Sequence, residues 1–185
     1  MNLSTFRRAG LIPGLAVLVA IAVAPPAIAQ QADQTSGLGI KGIGVRLGLT
    51  DPEGGSSALM YGVHLDAGEI VNNVHVVPAV EYWSVGVGGS DFSDLAIRTS
   101  INFDFPLHDQ RMVPYLGGGL ALHRLKVDTP LGGSASDSKF GLDVQGGARN
   151  QFTPNLSLFG ELGYSFVPDN NQLRILGGLT YHFIY

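Results

Sequence analysis

Residues 37–49 read GLGIKGIGVRLGL, and two readings compete for them. Gly37, Gly39 and Gly42 satisfy the G-x-G-x-x-G spacing of a dinucleotide-binding turn, which needs a strand before it and a helix after it to meet the pyrophosphate. The same residues also alternate. Ile43, Val45, Leu47 and Leu49 fall on one side of an extended chain, and Gly42, Gly44, Arg46 and Gly48 on the other, which is the period of two that a strand imposes. No strand pattern precedes Gly37 and no helical period follows Gly42. The stretch is therefore read as a strand, and its glycines need another reason.

The alternation recurs. Leu59, Tyr61, Val63 and Leu65 oppose Met60, Gly62, His64 and Asp66, while Leu95, Ile97, Thr99, Ile101, Phe103 and Phe105 oppose Arg98, Ser100, Asn102 and Asp104. Farther on, Leu156, Leu158, Leu162, Tyr164 and Phe166 oppose Ser157, Glu161 and Ser165. The spacing predicts strands over 39–49, 57–68, 74–85, 93–105, 111–124, 139–151, 155–166 and 172–184. Runs of roughly ten to thirteen residues suit a tilted strand crossing a bilayer and exceed the roughly five or six usual in soluble sheets. The connections DPEGGSS, GVGGSD, KVDTPLGGSASDS and VPDNN alternate with EIVNN, PLHDQ and TP, so one end is expected to carry all the longer ones, as extracellular loops do. Pro78 falls inside the third strand, where it withholds a ladder donor, and a bulge or bend is expected there.

Alternation alone does not say which face is inside. The polar face holds Arg46, Asp66, Glu81, Arg98, Asp104, Asp143, Arg149, Glu161 and Arg174, and it also holds Gly42, Gly44, Gly48, Gly62, Gly117, Gly119, Gly141, Gly147, Gly163 and Gly178. On a solvent face such glycine would only weaken the strands, whereas a narrow closed barrel needs small neighbours beside long inward side chains. Glycine thus turns the charged face inward and the apolar face toward lipid. Tyr61, Tyr82, Phe105, Phe140, Tyr164, Phe166, Tyr181, Phe183 and Tyr185 lie on the apolar face, near expected strand ends, where interfacial aromatic girdles form.

The start of the chain agrees with export. MNLSTFRRAG precedes the apolar run LIPGLAVLVAIAVA, and Ala27-x-Ala29 precedes Gln30, the layout of a secretory signal peptide over 1–29. The run is shorter than the roughly 18 apolar residues of a helical span and contains Pro13. The Arg7-Arg8 pair has little around it to suggest twin-arginine export. Residues 30–36 are read as a short periplasmic segment and 37–185 as the barrel. Without residues 1–29 the chain has 156 residues, with 9 basic against 15 acidic groups, net −6. That balance argues against nucleic acid as a partner. With no cysteine there is neither a disulfide frame nor a thiolate metal site.

Two further stretches carry a family resemblance: VPYLGGGLALH from Val113 and the ending LGGLTYHFIY. The chain resembles the small eight-stranded outer-membrane barrels of the OmpA/OmpX type and the generic outer-membrane protein β-barrel family around them. The resemblance implies an eight-stranded antiparallel up-and-down transmembrane β-barrel, in contact with outer-membrane lipid. Gly178, Tyr181 and Phe183 match a Gly-x-x-aromatic-x-aromatic signal read by the barrel-assembly machinery, with Leu176 where a polar residue is usual and two residues after Phe183 as departures. Larger relatives add a peptidoglycan-binding domain, and none is expected here.

An eight-stranded barrel has a bore that side chains fill, and ions there should pair. Antiparallel neighbours keep a nearly constant sum of residue numbers, which brings Glu161 close to Arg174, Arg149 to Glu161, Glu81 to Arg98 and His123 to Asp143. An Arg149–Glu161–Arg174 ladder and a second cluster around Glu81 and Arg98 are expected. His64, His75, His123 and His182 point inward on different strands at different depths, with no paired ligand spacing, so no metal is expected. No cofactor is expected either. Some barrels of this size act on lipid A, and the deacylase type needs an outward His-x-Ser pair, which no histidine here makes. The favoured reading is a non-catalytic structural or surface-interaction barrel, with 126–138 as the adaptable loop for a surface partner. A narrow channel for small solutes and a lipid-active enzyme are the alternatives.

Overall fold

The computed structural model describes residues 37–107, 112–129 and 133–183. The expected signal peptide, the segment 30–36, His108 and Tyr185 lie outside the described residues.

Eight strands form: β1 (Leu38–Pro52), β2 (Ala58–Val71), β3 (Val74–Val87), β4 (Ser90–Asp104), β5 (Met112–Asp128), β6 (Ser134–Thr153), β7 (Leu156–Phe166) and β8 (Gln172–His182). Each pairs antiparallel with the next, and β8 closes on β1 from Gly42↔His182 to Pro52↔Gln172. Closure removes the sheet edges that a bilayer could not satisfy. No helix occurs among the described residues, so the dinucleotide turn is absent and 38–52 is the first barrel strand.

The faces divide as the glycine argument requires. Val45 is 57% exposed and the next residue, Arg46, is 5% exposed. Ile43, Leu47 and Leu49 follow Val45 to the outside; Thr50, Glu81, Arg98, Asp143 and Arg174 follow Arg46 to the inside. Large inward side chains lie across from glycine on the neighbouring strand. Tyr115 opposes Gly147, Phe159 opposes Gly178 and Arg174 opposes Gly163. A Cβ at Gly163 would come within 2.8 Å of the Arg174 guanidinium, and one at Gly178 within 2.6 Å of the Phe159 ring. The glycines make room for what the barrel encloses.

Two expectations about the ends are corrected. We call the rim bearing 53–57, 88–89, 129–133 and 167–171 the outer rim, and the rim bearing 72–73, 105–111 and 154–155, with the start of β1 and the end of β8, the inner rim. The longer connections do not all lie on one side, because 105–111 separates β4 from β5 at the inner rim. What distinguishes the outer rim is strand overrun. The stretch read as loop 126–138 is mostly strand, since β5 continues to Asp128 and β6 begins at Ser134, leaving 129–133 as the connection. Likewise β3 and β4 run on to a two-residue turn, Gly88–Gly89, with φ of 61° and 84°. Positive φ at both positions is the twist-matched geometry that favours glycine.

Pro78 keeps its register with Thr99 on β4, and the irregularity falls on its other side, where β2–β3 pairing shifts between His64 and Glu69. Tyr61 and Tyr82 lie with ring centroids 5.6 Å apart; Tyr61 is near the end of β2 as expected, whereas Tyr82 lies inside β3, because β3 overruns to Val87.

Candidate functional site

Charged residues converge in the lumen. Five strands each contribute one ion to a buried network at mid-barrel. Glu81 on β3 is the hub: its Oε1 accepts from Arg46 Nη1 at 2.6 Å, and its Oε2 lies 2.9 Å from Arg98 Nη2 and 3.2 Å from Arg174 Nη1. Asp143 on β6 takes the other side, with Oδ2 at 2.6 Å from Arg98 Nη1 and Oδ1 at 3.8 Å from Arg174 Nη2. All five side chains are buried. Three guanidiniums thus meet two carboxylates in a space closed to bulk water, where each ion depends on the others for its solvation.

The expected pairings fare unequally. Glu81 meets Arg98, but the Arg149–Glu161–Arg174 ladder does not form. Arg174 opposes Gly163 and Glu161 opposes Leu176, so Glu161 and Arg174 are offset along their strands. Arg174 instead crosses the lumen to Glu81. Glu161 accepts a hydrogen bond from the Tyr115 hydroxyl at 2.9 Å. Arg149 lies 3.2 Å from Asp104 and over the Tyr115 ring at 5.6 Å. His123 pairs with Asp94 at 2.7 Å rather than with Asp143. Gln172 donates to the same Asp94 oxygen at 2.9 Å.

Asp94 was not anticipated, although it lies two and four residues from Ala96 and Arg98 on the same face, so period two carried one step farther finds it. Tyr115 and Phe159, also not anticipated, are buried as well; period two finds them too, since Tyr115 shares a face with Gly117 and Gly119 and Phe159 with Glu161.

Beside the network part of the bore is packed with apolar side chains. Ala58, Met60, Trp83, Phe159 and Leu176 form one buried cluster, with Val85 against it. Inward of the network lies a cavity of about 30 Å³, lined by Arg46, His64, Tyr115, Arg149, Phe159 and Glu161 among others. It holds roughly two water-sized molecules. Below it, at the inner rim, His75 is held by Glu69 at 3.0 Å, Asp104 at 3.4 Å and Asp66 at 3.5 Å. His182 lies 3.6 Å from Asp66 and 2.9 Å from the Ser157 hydroxyl. Among the described residues no set of three His, Cys, Asp or Glu side chains is arranged to hold a metal ion. The C-terminal residues divide by face, with Gly178 turned inward beside Phe159 and Tyr181 outward, its ring 5.9 Å from that of Phe183.

A closed antiparallel barrel with leucine and valine outside and a salt-bridged bore defines the class of membrane-spanning β-barrels. The comparisons agree. The chain belongs to the outer membrane protein beta-barrel domain family, whose model matches residues 14–183. It is similar in fold to Neisserial surface protein A, with 23% identity and a TM-score of 0.62, over 77% of this chain and 95% of that one. The N-terminal barrel of Pseudomonas aeruginosa OprF matches at 14% identity and a TM-score of 0.57, over 78% of this chain and 99% of that one. The attachment invasion locus protein Ail of Yersinia pestis, solved with a heparin analogue, matches at 18% identity and a TM-score of 0.53, over 80% of this chain and 99% of that one. No curated protein matches the sequence significantly.

Proposed function

We propose that this protein is an integral barrel of the bacterial outer membrane with a structural or surface-interaction role and without catalysis. The outer rim faces the cell exterior and the inner rim the periplasm, the topology in which the chain ends of such barrels lie on the periplasmic side. Lipid surrounds the apolar face, and the barrel-assembly machinery inserts the chain by reading Gly178, Tyr181 and Phe183. Export with removal of residues 1–29 belongs to the same reading. The observation that carries the proposal is the filled bore, in which the Glu81–Asp143 network and the Trp83–Met60–Leu176 packing occupy the lumen beside a cavity with room for roughly two waters. A surface role also has a structure to act through, because the projecting β5–β6 hairpin replaces the flexible loop expected at 126–138.

Planar-bilayer recording tests this reading. The wild type is expected to give no steady openings. Resolvable conductance in the wild type, altered in size by Glu81→Ala, would establish the narrow channel in its place. Ester hydrolysis by the purified protein, lost on His123→Ala, would establish an enzyme.

A further inference from the structure

The seam between β2 and β3 is interrupted near the inner rim. Pairing is continuous from Met60↔Trp83 to His64↔Ala79 and resumes only at Glu69↔His75. Four residues of β2, 65–68, thus face three of β3, 76–78, with no partner across the seam, although Leu65 and Asp66 stay paired to β1, and 76–78 to β4. Pro78 has no N–H to give to the ladder, and Gly68 takes a φ of 82°, the left-handed geometry of a glycine bulge. The extra residue shifts the alternation by one, so Glu69 joins Asp66 on the luminal side. There His75 spans the gap: its Nε2 lies 3.0 Å from Glu69 Oε1 and 3.4 Å from Asp104 Oδ2 on β4, and its Nδ1 lies 3.5 Å from Asp66 Oδ1.

We propose that His75 is a pH-sensitive latch at the inner rim: as the imidazolium it ties β2 to β3 and β4 across the interrupted seam, and on losing its proton it frees residues 65–69 and opens the cavity behind them. A neutral imidazole has one N–H and one lone pair, and only the protonated ring carries a proton at both nitrogens. With carboxylates on both sides, a neutral His75 turns a lone pair toward one of them. The other charged groups around it do not replace the lost charge. Arg149 on β6 lies 3.2 Å from Asp104, and His182 on β8 lies 3.6 Å from Asp66. From β1 only Lys41 comes near this rim, exposed, and Glu161 on β7 lies deeper, bonded to Tyr115 on β5. With both histidines neutral, three carboxylates therefore face one permanent cation. Behind the ring is the cavity of about 30 Å³, which Asp66, His75 and Val77 line together with Arg46 and Glu161. The latch holds between two titrations. It is lost as pH rises and the ring becomes neutral, and lost again in acid as Asp66, Glu69 and Asp104 take up protons.

Amide hydrogen exchange of the full barrel in lipid nanodiscs, corrected for the intrinsic effect of pH, tests the latch. Between about pH 5.5 and about pH 9, a span that brackets imidazole titration, protection of 65–69 should fall at least about fivefold, while that of 116–122 on β5 stays constant. His75→Gln keeps a hydrogen-bonding side chain without the charge, and its 65–69 segment should exchange fast at both ends of the range. His75→Lys supplies a cation that persists to about pH 10, and it should keep the segment protected throughout. His182→Gln should leave the wild-type profile in place. Unchanged heat-modifiable gel migration shows that each variant has folded. Should His75→Gln not fold, the wild type alone decides, because the ring nitrogens of His75, followed by magnetic resonance, must titrate with the same midpoint as the loss of protection. Protection of 65–69 that ignores pH in the wild type, a pH dependence that survives in His75→Gln or vanishes in His182→Gln, or two different midpoints would overturn the proposal.

Discussion

The inner and outer faces of β1 are built from adjacent residues yet answer to different physics. Outward, Ile43, Val45, Leu47 and Leu49 are interchangeable in kind, because lipid asks only that each be apolar. Inward, Arg46 has one correct partner, Glu81, 35 residues away on β3, and Gly44 and Gly48 have no tolerable substitute because the β8 backbone and His64 crowd the sites where a Cβ would lie. One face is specified by average chemistry and the other by named contacts. Substitutions should therefore be graded on the outside by depth and polarity, and on the inside by which partners are orphaned.

That contrast can be broken most severely at Glu81. Glu81→Ala leaves Arg46 without its carboxylate and strips Arg98 and Arg174 of one of two, and unfolding in denaturant should show a loss of about 3–5 kcal/mol. On the opposite face, Val45→Arg at the middle of β1 should cost about 2–4 kcal/mol in the same assay in bilayers, although wild-type Arg46 is tolerated one residue away. A matched glycine pair sharpens the comparison further. Gly178→Ala drives a Cβ against the Val45 carbonyl and the Phe159 ring, and should cost about 1–3 kcal/mol. Gly160→Ala, outward with open space around it, should change stability by no more than about 0.5 kcal/mol. Comparably small is the exposed Lys126–Asp128 pair on the β5–β6 hairpin, 2.7 Å apart, where Lys126→Ala should cost at most about 0.5 kcal/mol, a difference that vanishes in high salt.

Much of the fold was legible because period two assigns faces and glycine breaks their symmetry. Val45 and Arg46 could be assigned to opposite sides from sequence alone. Neighbour arithmetic also found Glu81 beside Arg98, whose strands are adjacent. It could not find Arg174 with Glu81, because arginine reaches across the bore to a strand that the chain order places 93 residues away. Nor could it foresee that Glu161 would turn to Tyr115, since β5 and β7 are not neighbours in the barrel. The β5–β6 hairpin was misread because Lys126, Asp128, Gly132, Gly133 and the serines of 134–138 have the composition of a loop, while the pairing from Asp128↔Ser134 onward is a matter of backbone hydrogen bonds that composition does not encode.

The most direct measurement uses the chain's single tryptophan. Trp83 is 5% exposed and packed against Met60 and Leu176 inside the barrel. In bilayers of brominated lipid the wild-type fluorescence should be quenched weakly, and that of Trp83→Phe with Val45→Trp strongly. Strong quenching of Trp83 together with a shielded tryptophan at position 45 would reverse the two faces and contradict the account.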